Sequence, residues 1–233
     1  MKLACLLLLL ALWDSTLPDG VTDVREPIDV PAGKIVRGSG RVSILRFHGD
    51  TGFFALNFQS ITPQTGGGVE NLTIELASKG SGGIRAVECS EMSVRNVLIK
   101  PQKNARLGGT GILIDGKRKG SGFCRFDSVT VFQCDTGMLL DTTEYPGAWC
   151  NRHSLTAVRF WNCGLGIDFA ASCTNDIRAT FETCDQPMKF RRLSSRNTVW
   201  LVEENCKQAT EMEYGAIENV LSGVFSGYVK QPK

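Results

Sequence analysis

The chain has 233 residues, with 26 lysines and arginines against 24 acidic residues, a net charge of +2, 25 glycines and nine cysteines. That length suggests one domain, or one domain with a small appendage. The two signs of charge are interspersed, which argues against a nucleic-acid partner, and abundant glycine with few aromatics suits a turn-rich β protein.

The chain opens on MKLACLLLLLALW, apolar on every face and so not an ordinary amphipathic helix. Lys2 followed by an apolar run from Leu3 to Trp13 resembles a secretory signal. The run is too short for a comfortable transmembrane helix, so no stable membrane span is expected. The following WDSTLPDG offers no clean small-x-small cleavage site. Two readings stay open for residues 1–17: a signal segment, or a retained apolar helix that caps an open end of the fold or packs between subunits.

Residues 28–62 read as short strands: Ile28-Asp29-Val30, then Ile35, then Val42-Ser43-Ile44-Leu45, then Phe53 to Phe58. Gly66-Gly67-Gly68 is a loop before a strand in which Leu72, Ile74 and Leu76 alternate with Thr73 and Glu75. Asn or Asp stands just before several strands (Asn71, Asn96, Asp127, Asp176), where a local side-chain bond supports a sharp turn. Asn71-Leu72-Thr73 matches a glycosylation acceptor, but it sits on this turn pattern and is read as a turn.

From Gly108 to Cys206 one loose pattern returns four times, as GTGILIDG (109–116), DTGMLLD (135–141), GLGIDF (164–169) and DQPMKF (185–190). Ile112 and Ile114, Met138 and Leu140, Ile167 and Phe169, and Met188 and Phe190 alternate with Leu113, Leu139, Asp168 and Lys189. Period-2 alternation marks a strand with one buried face. The segments SVTVFQC, AVRFWNC and RATFETC precede three of the copies and LVEENC follows the fourth. Their closing cysteines, Cys134, Cys163, Cys184 and Cys206, are 29, 21 and 22 residues apart. Self-similarity at this period, with no helical segment between the strands, predicts a solenoid: all-β, a single-stranded right-handed parallel β-helix over residues 18–229, ending in a polar tail at 230–233. About eight coils at ~4.8 Å give a rod of roughly 40 Å.

Equivalent positions should then stack in files. A second cysteine series, Cys89, Cys124, Cys150 and Cys173, with Ser195 at the next place, is expected to form a ladder beside the first. The expectation is a stack of inert buried thiols, with disulfides between coils as the alternative, since ~4.8 Å lies within the usual Cα window. No metal site is expected: there is no C-x-x-C pair, and His48 and His153 stand apart. No cofactor is indicated. Lys100–Gly108, Lys117–Gly122 and Thr142–Trp149 are turn insertions, which in solenoids tend to gather on one face, often the binding face.

The cadence N-V-x-V-x-x-C-x-x-G-I-x-L resembles the right-handed parallel β-helix superfamily of pectate lyases, polysaccharide depolymerases and phage tailspikes. DGVTDVREPIDVPAGKIVRGSG (19–40) resembles the entry segment of those chains, with the short helix between DGVTD and VPAG almost absent. The resemblance covers roughly Pro18 to Gly227 and is specific for fold. It implies an extracellular or virion setting, a homotrimer of the tailspike kind, and a bacterial surface polysaccharide as a partner. Lyases of the superfamily use carboxylate-bound calcium with a basic proton acceptor. Arg191, Arg192 and Arg196 are basic, yet no matching acidic cluster precedes them, and Thr174-Asn175-Asp176 only partly echoes the N-T-D of the polygalacturonase branch.

Asp115 and Asp141 follow GILI and GMLL at one offset, so they should lie on neighbouring coils. Carboxylates ~5 Å apart can serve as acid and nucleophile of a retaining glycosidase; alternatively each ends a strand and bonds backbone amides. Phe132 and Trp161, at one offset from their cysteines, and Glu182 after them form an outward file suited to stacking on sugar rings or to a subunit contact. Trp149 and His153 are further substrate-binding candidates, His153 as a base without an evident partner. Outward Leu113 and Leu139 suggest an interface that an oligomer would cover. Two functions follow: a non-catalytic structural or receptor-binding component of a virion or extracellular assembly, and alternatively a secreted polysaccharide lyase or glycoside hydrolase. Fold alone does not choose between them.

Overall fold

The computed structural model describes residues 16–103, 109–142, 149–216 and 218–224, without the side chains of 59–65. Among them are 22 strands and no helix, wound as a parallel β-solenoid of about seven turns rather than eight. Two sheets of 12 and 10 strands run along the axis. Sheet 1 includes Gly68–Leu76, Ser93–Pro101, Ser154–Trp161, Asp176–Glu182 and Thr198–Glu204. Sheet 2 includes Gly82–Ser90, Thr110–Asp115, Thr136–Asp141, Leu165–Phe169 and Gln186–Phe190. Beyond the end of the Gly82–Ser90 strand, sheet 2 continues as a short file of Ser121–Gly122 and Cys150–Asn151, with bridges on to Cys173 and Ser195.

Alternation in the repeats becomes register between turns. Ile112 pairs with Met138, Met138 with Ile167 and Ile167 with Met188; Ile114, Leu140, Phe169 and Phe190 form the parallel file, and all eight side chains are buried. Because like stacks on like, aromatics meet: Phe169 and Phe190 stack with centroids 4.4 Å apart, Phe160 and Phe181 at 5.3 Å. Burying each phenyl contributes about 2 kcal/mol and the stacking about 1 kcal/mol more. Removal from water therefore stabilises these rings more than their mutual contact does, and the stack fixes the order.

The glycine of each G-I or G-M copy answers the opposite sheet. A Cβ at Gly111 would meet Val131 Cγ1 at 2.5 Å, one at Gly137 would meet Phe160 Cδ1 at 2.4 Å, and one at Gly166 would meet Phe181 Cδ1 at 2.5 Å. Sheet 1 thus fills the interior up to the backbone of sheet 2, leaving no room for a side chain there.

Corners are set by left-handed residues in files. Gln133, Asn162, Thr183 and Asn205, each just before a closing cysteine, have φ between 53° and 56°. This turn aims the next residue inward, so Cys134, Cys163 and Cys184 are buried and Cys206 is half-buried. The thiols of Cys163, Cys184 and Cys206 donate to Val131 O, Phe160 O and Phe181 O on the preceding turn, at 3.6, 3.4 and 3.6 Å. The first cysteine ladder forms as free thiols.

The second series does not form one ladder. Cys150 pairs with Ser121, and the Cys89 amide donates to the Ser121 hydroxyl, whereas Cys173 pairs with Asn151 and with Ser195 one file over. Connector length causes the slip: Cys89 is the second residue after Val87, whereas on the next turn the sixth residue after Asp115, Ser121, takes that place and Cys124 falls three residues beyond it. Beside these files runs a ladder that the sequence pattern did not reveal. Asn175 accepts the His153 amide at 2.9 Å, Asn197 accepts the Asn175 amide at 3.2 Å, and Asn219 accepts the Asn197 amide at 3.0 Å. The partial N-T-D echo is a rung of this structural file.

Asn71 and Asn96 have φ of 55° and 50°, and the Asn96 side-chain Nδ2 donates to Asn71 Oδ1 at 3.0 Å. The bond runs between turns, not locally as expected. In the entry segment, Gly20–Val24 and Ile28–Val30 are strands with no helix between them. Thr16–Leu17, expected to belong to the apolar segment, pairs with Arg37–Gly38 as a strand. The apolar run 3–13, the tail 230–233 and most of the insertions at 100–108 and 142–149 lie outside the described residues. No helix among the described residues is long and apolar enough to cross a membrane.

Candidate functional site

The outer face of sheet 2 brings the paired carboxylates together with the insertion corner. Asp115 pairs in register with Asp141, and Leu113 pairs with Leu139 two residues earlier. The Leu file continues outward-facing through Arg85 on one side and Asp168 and Lys189 on the other. Leu113 and Leu139 are half-buried, so this face already shields much of them.

Asp115 ends its strand as a turn former: Oδ1 accepts the Lys117 amide at 2.9 Å, and Arg85 Nη2 stands 3.9 Å from Oδ2. Burial holds its carboxyl above the ordinary range; the Lys117 amide and Arg85 oppose that shift, and the charge of Asp141 adds to it. Asp168, 4% exposed, receives both arms of Arg191 at 2.8 and 2.6 Å. The same pairing raises the Arg191 guanidinium above its usual value, with the Asp141 charge a smaller contributor. Lys189 bridges Glu213 at 3.0 Å and Glu211 at 3.6 Å. Glu88 accepts the amides of Arg118 and Lys119 at 2.9 and 3.1 Å, pinning the loop after Asp115.

Trp149 enters from the next turn. Its carbonyl accepts the Ser121 amide at 2.7 Å, and its ring lies over Gly120 and Gly122: a Cβ there would meet ring atoms at 2.7 and 3.0 Å. Gly120 also has φ +86°, a conformation glycine supplies without strain. The indole is 41% exposed at the rim of the carboxylate face. At the opposite edge a groove of about 510 Å³ is floored by Phe54 and Leu113 and rimmed by Thr51, Lys79, Thr110 and Asp135. Its wall is open because Gly52, Gly80 and Gly109 make left-handed corners on three successive turns.

The other sequence candidates lie elsewhere. Phe132, Trp161 and Glu182 do form one file, but on the outer face of sheet 1. The two rings stand 4.7 Å apart, tilted by 43°; Arg159 lies over Trp161 at 4.7 Å and bridges Glu182. His153 is 1% exposed inside the solenoid, which removes it from any surface that a polysaccharide touches. The left-handed Arg152 before it turns its ring inward. Its Nδ1 accepts the Cys124 amide and Nε2 faces Cys150 Sγ, while burial lowers its pKa to about 3, so it is neutral. The other histidine, His48, bonds Asp23 at 2.6 Å on the early turns. Among the described residues, no group of three or more His, Cys, Asp or Glu is placed to hold a metal.

The Asp168–Arg191 pair escaped sequence reading because 23 residues separate its members; the one signal was Asp168 standing in the leucine file. Trp200 and Val202, exposed on sheet 1, were also missed, although alternation in TVWLVEE places them outward.

No protein-family profile matches the sequence, and no curated protein matches it. Solved structures do. The ORF18 protein of Geobacillus virus E2 aligns over 91% of this chain and 53% of its own, with 13% identity and a TM-score of 0.44. This chain thus spans about half of that protein's length. The alginate lyase from Paenibacillus sp. strain FPU-7 aligns over 96% of both chains, with 13% identity and a TM-score of 0.48.

Proposed function

We propose that this chain is a non-catalytic, glycan-binding solenoid of a virion or other extracellular assembly, with the outer face of sheet 2 turned to the glycan. The observation that carries the reading is one track on that face: groove, Leu113, the Asp115–Asp141 pair, then Trp149. Flat apolar surface at both ends with fixed polar groups between them suits a chain of sugar rings. The polar groups are held by the fold itself. Asp115 is occupied by the Lys117 amide and Asp168 by Arg191, which favours holding a ligand over moving its protons.

One observation favours the alternative, a polysaccharide lyase or hydrolase. Burial holds Asp115 toward its protonated form, as a general acid would be, with a second carboxylate on the neighbouring turn. A panel of bacterial and algal polysaccharides decides between the two, read by calorimetry for binding and by reducing ends and absorbance of unsaturated products for cleavage. The proposal expects binding without product, weakened about tenfold or more by Trp149→Ala. Product formation abolished by Asp115→Asn would replace it with the enzyme reading, and absence of binding to any glycan would remove the proposal.

A further inference from the structure

The track on the outer face of sheet 2 follows a single coil of the rod, residues 109–122. Thr110 and Leu113 line the groove, Asp115 ends the strand, and Gly120 and Gly122 lie under the Trp149 indole. Both bulky ends lean in from other coils over positions without a side chain. A Cβ at Gly82 would meet the Phe54 ring at 2.4 Å and the Thr110 carbonyl at 2.8 Å, and Trp149 covers Gly120 and Gly122 in the same way. From Thr110 to Asp115 the strand alone spans ~17 Å, more than a disaccharide covers.

Along the axis the same face is occupied by bonds between successive turns. On the later turns Asp168 holds Arg191, and Lys189 bridges Glu211 and Glu213. On the early turns Asn57 Nδ2 donates to Asp29 Oδ1 at 3.2 Å. A ligand running along the axis would lie over side chains that are already paired, whereas one crossing the rod meets the groove, the carboxylates and the indole in turn.

Charge along this coil is sorted by position. At the groove, Lys79 and Asp135 stand on the turns either side of Gly109, so the two signs balance. Past the strand, the basic loop Lys117–Lys119 is pinned by Glu88. The centre is acidic: Asp115 and Asp141 are in register, Arg85 stands 3.9 Å from Asp115, and Arg191 is taken up by Asp168. A carboxylate placed over that centre would face two others, and like charges set together are costly. A hydroxyl would face acceptors. Asp115 Oδ1 takes the Lys117 amide, yet an ionised carboxylate has further acceptor sites, and hydroxyl bonds to it are short and strong.

We infer that the glycan crosses the rod along this coil and that the ring held over Asp115 and Asp141 is uncharged, donating its hydroxyls to the two carboxylates. The inference rests on the glycan-binding reading above and names its substrate class, a neutral polysaccharide. A polyuronate carries a carboxylate on every ring and cannot keep one away from the centre.

Calorimetry of the full chain tests it with neutral gluco-, manno- and N-acetylglucosamine oligosaccharides, from disaccharide to octasaccharide, against galacturonate and alginate oligomers of matched length. A neutral series should bind, and the uronates should bind at least about tenfold more weakly. Affinity should climb with length and level off once an oligomer reaches from the groove to the indole. Phe54→Ala and Trp149→Ala should each bring that plateau to a shorter oligomer, with circular dichroism confirming the fold. Asp141→Asn should weaken the neutral series and narrow its lead over the uronates. Trp200→Ser, on the exposed face of sheet 1, should change neither. Uronates bound as tightly as neutral sugars, with or without added calcium, would overturn the inference and leave glycan binding in place. So would an affinity still rising at the octasaccharide, or an Asp141→Asn protein with an unchanged preference. Binding by no series would remove the glycan-binding reading and the inference together.

Discussion

His153 Nε2 stands 3.2 Å from Cys150 Sγ, and both side chains are buried in the solenoid. The other ring nitrogen accepts the Cys124 amide at 3.3 Å, so the proton sits on Nε2 and the thiol accepts it. What looks in sequence like a histidine ready for chemistry is a rung of the interior ladder.

That placement makes stability pH-dependent in a definite direction. Burial lowers the folded pKa of His153 from 6.5 to about 3. Between those values the unfolded chain holds a proton that the folded chain does not, so the unfolding free energy rises with pH. The contribution is complete above pH 6.5 and falls by roughly 1.4 kcal/mol per unit as pH drops toward 3. Urea midpoints taken from neutral pH down through the mildly acidic range should decline more steeply for the wild type than for His153→Asn. The variant extends the asparagine file without a titrating ring. Equal slopes would place the imidazole in solvent.

The asparagine file is expected to be costly to interrupt. Asn197 is fully buried; it accepts from the amide and side chain of Asn175 and donates to Asn219 and to the Ser172 carbonyl. Asn197→Leu strands several of these partners, each worth about 1–3 kcal/mol when left unmade. Chemical denaturation should show a loss of at least about 3 kcal/mol, against less than ~1 kcal/mol for an exposed control such as Thr198→Ser.

Gly137→Ala tests the close approach of the two sheets. The added methyl would sit 2.4 Å from Phe160 Cδ1 and 2.6 Å from the Gly166 carbonyl. Overpacking of this kind costs about 1–3 kcal/mol, read as a drop in thermal midpoint. Phe160→Leu in the same chain should recover part of the loss, because it relieves the first contact and not the second.

Thiol labelling separates buried from accessible cysteines. Burial pushes the Cys89, Cys124 and Cys134 thiols up to about 12, so their thiolate fraction near pH 8 is on the order of 10⁻⁴. Ellman's reagent on the native protein should react slowly at these positions and more readily at half-buried Cys173. All of them should react quickly in guanidinium. Rapid native labelling of Cys134 would contradict the ladder.

How far the sequence reaches can be judged from particular residues. Alternation in GILID and GMLLD places Ile112 and Ile114 inside and Leu113 and Asp115 outside, and equal offsets from glycine put Asp115 beside Asp141. The closing cysteines stack for the same reason: a strand shows its two faces by period, and a solenoid repeats them along one axis. Position around the axis is different, because it depends on the length and handedness of each corner. Unequal insertions after Val87 and Asp115 slid the second cysteine series apart, and a left-handed Arg152 turned His153 inward. Tertiary structure alone assigned Phe132 and Trp161 to one sheet and Asp115 and Trp149 to another side, since residues equivalent within a repeat still need the turns between strands to say which face they share.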